Sequence, residues 1–141
     1  MITLQHFQTD ALYQYLAQEM MLESDDVDRD VLCVPANMLG RWAPFAIIFE
    51  GRLAGFVCFD MEQRYLAMLY VNPAFRGNGI AQFVIRLLQP TWLDVKPNNL
   101  LARKLYERLG YVVAPHQPFS QRVRYFHFSH PEIYGKATNP A

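Results

Sequence analysis

Cysteine is scarce: Cys33 and Cys58 are the only two in 141 residues. A small secreted scaffold held by disulfides needs more, so the sequence predicts two buried, reduced thiols and a cytoplasmic setting. Net charge is lacking as well. Thirteen Lys plus Arg balance thirteen Asp plus Glu, which argues against a broadly basic surface for nucleic acid. A compact anion remains accessible, because one arginine and a few backbone N–H groups hold a phosphate locally. Long apolar runs are missing. Stretches such as 43–49 fall far short of the ~20 residues that cross a bilayer, so no membrane association is expected. Met1 to His6 shows neither a basic leader nor an apolar core, which predicts no signal peptide.

Several chemistries are excluded by absent motifs. There is no Cys-x-x-Cys, no His-Glu-x-x-His and no Gly-x-Ser-x-Gly, so zinc and serine-hydrolase readings have no support. The P-loop pattern of Gly, four residues, Gly-Lys-Ser/Thr is also absent. Asp26, Asp28 and Asp30 have the spacing of a calcium loop, but Val31 stands where that loop needs glycine and Asn37 where it needs glutamate. No metal is predicted. Neither internal repeats nor low-complexity segments occur.

What is present is apolar and aromatic: 52% hydrophobic and 14% aromatic residues, enough for one folded domain over 1–141 with a frayed tail beyond Pro131. Ile2 to Phe7 alternates as a first strand. Thr9 caps a helical pattern through Leu12, Leu16 and Met20. The acidic stretch from Glu23 to Asp30 and the irregular segment to Pro44 read as a short helix plus loop. Phe45–Phe49, Leu53–Phe59 and Tyr65–Val71 are three apolar runs, the first two joined by Glu50-Gly51-Arg52. They predict an antiparallel meander buried on both faces.

Beyond Asn72-Pro73 the pattern changes. Arg76-Gly77-Asn78-Gly79 is a glycine turn, and Ile80, Phe83, Val84, Leu87 and Leu88 form a helical stripe ending at Pro90. Thr91–Val95 is a short strand. Pro97-Asn98 opens a second helix with Leu101, Leu105 and Leu109 on one side and Gly110 at its left-handed end. Tyr111–Val113 and Val123–Phe128 are the last strands. A strand, a glycine turn and a helix together suit a phosphate, since the glycines admit close approach and the first helical N–H groups point at the ligand. A dinucleotide fold would need three spaced glycines opening a parallel unit, which is not the arrangement here. An ordinary strand-to-helix turn is the plain alternative.

Two motifs in order decide between them. Arg76-Gly77-Asn78-Gly79-Ile80-Ala81, preceded by Val71-Asn72-Pro73, resembles the Arg/Gln-x-x-Gly-x-Gly/Ala pyrophosphate loop of the Gcn5-related N-acetyltransferases. Asn99 to Tyr111 is similar to that family's Asn-x-x-Ala-x-x-Leu-Tyr-x-x-x-Gly-Phe/Tyr segment. The resemblance covers 45–113, about half of the chain. It implies a mixed α+β acyltransferase fold, with a central, mostly antiparallel sheet flanked by helices, and an acetyl-CoA-dependent transfer to a primary amine by direct attack in a ternary complex. The acceptor so implied is a small-molecule amine or a protein amine. A silent CoA-binding sensor of the same fold is the alternative, and the family's pairing through C-terminal strands leaves a homodimer open.

The resemblance also assigns residues. The backbone of Leu69, Tyr70 and Val71 would pair with the pantetheine arm and polarise the acetyl carbonyl. Gly77, Asn78, Gly79, Ile80 and Ala81, with Arg76, would cradle the pyrophosphate. Asn99 would face the cofactor arm or merely start its helix. Tyr106 would be the general acid, or pack with Leu105 and Leu109. Glu62 is the candidate base, with Asp60 beside it, and both also suit a solvated turn. His116 and His127 are expected at the border of the acceptor pocket. Trp42 and Trp92 are expected in the core or the pocket wall, and the early Pro90 to leave the adenine side open.

Overall fold

The computed structural model describes residues 1–6, 43–118 and 121–135. The first strand, β1, runs Ile2–His6. The meander follows as β2 (Ala43–Phe49), β3 (Arg52–Asp60) and β4 (Tyr65–Val71). A single 3₁₀ turn at Pro73–Phe75 leads into the glycine turn and helix α1 (Ile80–Leu88). Then come β5 (Trp92–Val95), helix α2 (Leu100–Arg108), β6 (Tyr111–Val113) and β7 (Val123–His127). The helix expected after Thr9, the acidic stretch, Cys33 and Trp42 lie outside the described residues.

Seven strands form one sheet in the order β1-β2-β3-β4-β5-β7-β6. All neighbours are antiparallel except β4 and β5. The continuous apolar runs are explained by burial on both faces. One face carries Phe56, Cys58, Tyr65, Met68, Trp92 and Phe126. The other carries Val57, Phe59, Leu66, Leu93 and Tyr125, and is covered by Ile80, Val84 and Ile85 of α1 and Tyr106 of α2. The stripe read from α1 packs in part: Ile80, Val84 and Leu88 reach the sheet together with Ile85, whereas Phe83 and Leu87 stay exposed.

Two expectations need correcting. Leu101 is 84% exposed; α2 packs instead through Ala102, Leu105, Tyr106 and Leu109, because the three-and-four spacing from Tyr106 sets the inner face. The tail does not fray at Pro131: Pro131–Gly135 is a 3₁₀ turn that buries Ile133 and sets Tyr134 edge-on to Phe126. Gly110 does end α2 with φ 94°, and its N–H donates to the Glu107 carbonyl at 3.2 Å.

Candidate active site

The parallel pair β4–β5 determines the site. It is joined at only two positions, Tyr65 with Trp92 and Leu66 with Leu93. At the next residue the β3–β4 register slips: Cys58 faces Met68 and Phe59 faces Leu66, so Ala67 is an extra residue in β4. Such a bulge bends its strand and increases the local twist. β5 stays paired to β7 through Trp92–Phe126 to Val95–Val123. β4 therefore turns away from β5 and opens a wedge along 67–71, an edge with no strand partner among the described residues. Arg122 Nη1 reaches across to the Ala67 carbonyl at 3.5 Å.

A buried network ties the closed end of the wedge. Arg124 donates through Nε and Nη2 to the two carboxylate oxygens of Asp94, both at 2.8 Å. Both side chains are only 4% exposed. The Tyr65 hydroxyl donates to Asp94 Oδ2 at 2.5 Å, and the Arg124 guanidinium lies over the Tyr65 ring at 5.4 Å. Burial, and then the Asp94 charge, push the Tyr65 hydroxyl well above its usual range, so it stays a donor. β4, β5 and β7 each contribute one member. Sequence reasoning missed this network, although a lone charge inside each of two apolar strands was its signal.

At the open end, Gly77 (φ 86°) and Gly79 (φ 70°) take the left-handed conformation that side chains disfavour. Nothing lies within 4 Å of where a Cβ would project at either one. These glycines are therefore required by backbone conformation, and the surface in front of them is open. Gly79 is the N-cap of α1 and brings no side-chain cap. The N–H groups of Ile80, Ala81 and Gln82 thus stand without an intrahelical partner, at the positive end of a helix. Asn78 Nδ2 donates to the Phe75 carbonyl at 2.8 Å, and Arg76 Nε to the Val71 carbonyl at 2.9 Å. Arg76 also lies 5.7 Å over Tyr70. It braces the turn onto the end of β4 while remaining exposed at the rim.

Tyr106 is 7% exposed, on the sheet face covered by the two helices. Its ring meets Tyr111 edge-on, with centroids 6.3 Å apart. Its hydroxyl has no hydrogen-bond partner among the described residues, and burial pushes its pKa up to about 12. An orphaned buried hydroxyl is uncommon, since almost every buried polar group is paired.

The remaining expected residues fall elsewhere. Asn99 is the N-cap of α2, its Oδ1 accepting from Ala102 N–H at 3.2 Å, so its side chain serves the helix. Asp60 is buried, and its Oδ1 accepts from the Glu62 and Gln63 N–H groups at 3.0 and 3.1 Å. Glu62 is exposed in that turn, at the closed end of the wedge. His116 is exposed. His127 does not border the opening: it packs on Tyr111, and its Nε2 lies 3.0 Å from the Leu109 carbonyl, at the C-terminal end of α2. Trp92 is buried. Among the described residues no cluster of His, Cys, Asp or Glu suits a metal, and no helix is long and apolar enough to cross a membrane.

The wedge and glycine turn stand where the two sequence motifs put a cofactor site, and the comparison with known proteins identifies the family. Residues 9–111 match the model of the acetyltransferase (GNAT) family, and the chain belongs to that family. It is 25% identical over 107 residues to an uncharacterised N-acetyltransferase of Methanocaldococcus jannaschii, covering 62% of this chain and 69% of that one. Its fold is similar to the ribosomal-protein-S18-alanine N-acetyltransferase of Escherichia coli, with 17% identity, TM-score 0.54, and 89% and 90% of the two chains covered. It is also similar to the microcin C7 self-immunity acetyltransferase MccE, solved with acetyl-CoA and AMP, with 14% identity, TM-score 0.59, and 88% and 90% covered.

Proposed function

We propose that this protein transfers an acetyl group from acetyl-CoA to a primary amine. The observation that carries the reading is the early parting of β4 from β5, with a glycine turn at one end of the opened edge. Family membership supports acetyl transfer. The acetyl-CoA seen in the microcin C7 immunity protein supports the cofactor, and the residues present fit it. The open edge at Leu69, Tyr70 and Val71 would hold the pantetheine arm by strand-like hydrogen bonds. The N–H groups of Gly77, Asn78, Gly79, Ile80 and Ala81 would hold the pyrophosphate, with Arg76 adding charge at the rim. Acetyl-CoA supplies the activated acetyl group as a thioester.

The chain's own residues do the rest. The backbone of Leu69, Tyr70 and Val71 would also aim donors where charge develops on the acetyl oxygen. Tyr106 holds its proton at every physiological pH and offers it, through Oη, to the sulfur that leaves. A thiol with a pKa of ~8.5 is a stronger acid than this phenol, so Tyr106 acts mainly by hydrogen bonding to the thiolate. The amine must shed a proton in turn. The Asp60 carboxylate is occupied by its turn, which leaves Glu62 as the solvent-facing carboxylate to accept it. The acceptor class follows from the family's chemistry, as in the S18 alanine enzyme.

Thiol release from acetyl-CoA, measured against a panel of small amines and peptide N-termini, tests this reading. Tyr106→Phe should lower kcat about 10- to 100-fold, the worth of a hydrogen bond to a charged group, with the KM for acetyl-CoA within about twofold. An unchanged kcat removes Tyr106 from the mechanism. Tight acetyl-CoA binding without thiol release for any amine would indicate a silent CoA-binding protein.

A further inference from the structure

We infer that a second cavity, between the C-terminal ends of α1 and α2, is a binding site for a phosphate-bearing anion. It encloses about 750 Å³, within the range of small-ligand pockets. It lies at the opposite end of α1 from the glycine turn. Its basic lining is Arg64, Arg86, Arg108, His127 and His130, with no Asp or Glu among the described lining residues. In a chain whose formal charge is zero, this is a concentrated positive region.

Two helix C-termini face the cavity, and their exposed carbonyls would repel an anion. Several carbonyls at and just beyond the two helix ends are already engaged. Arg64 donates to the Leu88 and Gln89 carbonyls, the Tyr111 hydroxyl to Pro90 at 2.5 Å, and His127 Nε2 contacts the Leu109 carbonyl at 3.0 Å. Magnitudes settle the sign. Each helix end is worth roughly −0.5 elementary charge, so three guanidiniums leave about +2 before either histidine is counted. Complementing the two dipoles would need about one arginine. Arg86 and Arg108 are exposed, and neither has an acidic partner among the described residues; Arg86 has only Gln82 of its own helix. His130 is 3.3 Å from Glu132, so the arginines carry the site.

The backbone brings these groups together. Among the described residues, Arg64 (φ 54°) and Gln89 (φ 49°) are two of the three non-glycine residues in the left-handed region, and both line this cavity. Gln89 takes this conformation as the C-cap of α1, a common way for a helix to end, and Arg64 takes it in the turn before β4. The Arg64 side chain joins the two segments by bonding to the Gln89 carbonyl.

The test is a titration with inorganic phosphate at constant ionic strength in chloride, read by phosphorus NMR line width and by Tm. It compares the wild type, the double variant Arg86→Gln/Arg108→Gln and, at the glycine turn, Arg76→Gln. Saturable binding that weakens about tenfold or more in the double variant is expected, since charge-assisted hydrogen bonds are lost. Arg76→Gln should bind as the wild type does, and the double variant should keep its Tm in chloride and its acetyl-CoA affinity. No saturable binding to the wild type overturns the inference. So does binding that the double variant retains, or that Arg76→Gln abolishes, because the anion would then sit elsewhere or at the turn. None of these results depends on catalysis, so the inference stands or falls apart from the transferase reading.

Discussion

Gly79 shows how a single backbone angle positions chemistry. At φ 70° it turns the chain from the end of β4 into α1 and leaves the first helical N–H groups uncapped. An alanine there meets no neighbour, so any cost is conformational, about 1 kcal/mol. Gly79→Ala should therefore lower stability by about that much, while Gly79→Asn, which tolerates the left-handed region, should cost less. Equilibrium denaturation distinguishes the two. Equal losses would mean that the angle is not the constraint. Tyr106 illustrates the complementary case, in which burial rather than conformation sets the chemistry. The family motif pointed to this residue; its lack of a hydrogen-bond partner among the described residues and its raised pKa came only from the packing of α2 on the sheet.

At the scale of elements, the wedge depends on a tie and a bulge. Asp94, Arg124 and Tyr65 hold β4, β5 and β7 together where the strands still pair. Beyond them the extra residue Ala67 lets β4 depart. Asp94→Asn leaves the 4%-exposed Arg124 without its carboxylate, and breaking a buried pair from one side costs about 3–5 kcal/mol. A loss of that size in chemical denaturation is expected. A loss under about 1 kcal/mol would place the pair in the surface class and remove it as the tie. The elements themselves were largely legible: three apolar runs, a glycine turn, an amphipathic α1 and Gly110 each appeared where periodicity and turn chemistry put them. The bulge was not, because Tyr65–Val71 is apolar throughout and offers no glycine or polar residue to mark a slip. The role of Asn99 was ambiguous for a related reason, since a helix cap and a ligand contact use the same residue type at the same place. His127 was misplaced because sequence order says nothing of which end of β7 faces the opening.

For the whole molecule, burial of acidic protons predicts the alkaline limit of stability. Cys58 is raised by burial from 9.0 to about 12 and Tyr106, also by burial, from 10.0 to about 12. Tyr65 and Tyr111 are raised further, again chiefly by burial. Each group is protonated in the fold and ionises more readily in the unfolded chain. Their contribution is complete below about pH 9 and is lost as the pH climbs toward 12, at about 1.4 kcal/mol per pH unit for each group past its unfolded pKa. Stability should thus fall by several kcal/mol between about pH 9 and 11. Tyrosinate absorbance should show some of the eight tyrosines titrating only together with unfolding. A flat stability profile over that range would contradict the burial of these groups.

In the proposed function, the opened edge of β4 and the glycine turn form one site for acetyl-CoA. A thermal-shift titration with acetyl-CoA, CoA, ATP and NAD side by side tests it most directly. A ligand at about 100 times its Kd stabilises the fold by about 2.7 kcal/mol, which raises Tm by several degrees in a domain of this size. Selective stabilisation by the two CoA species is the predicted result. A folded protein that ignores CoA, or responds equally to ATP and NAD, would contradict the claim.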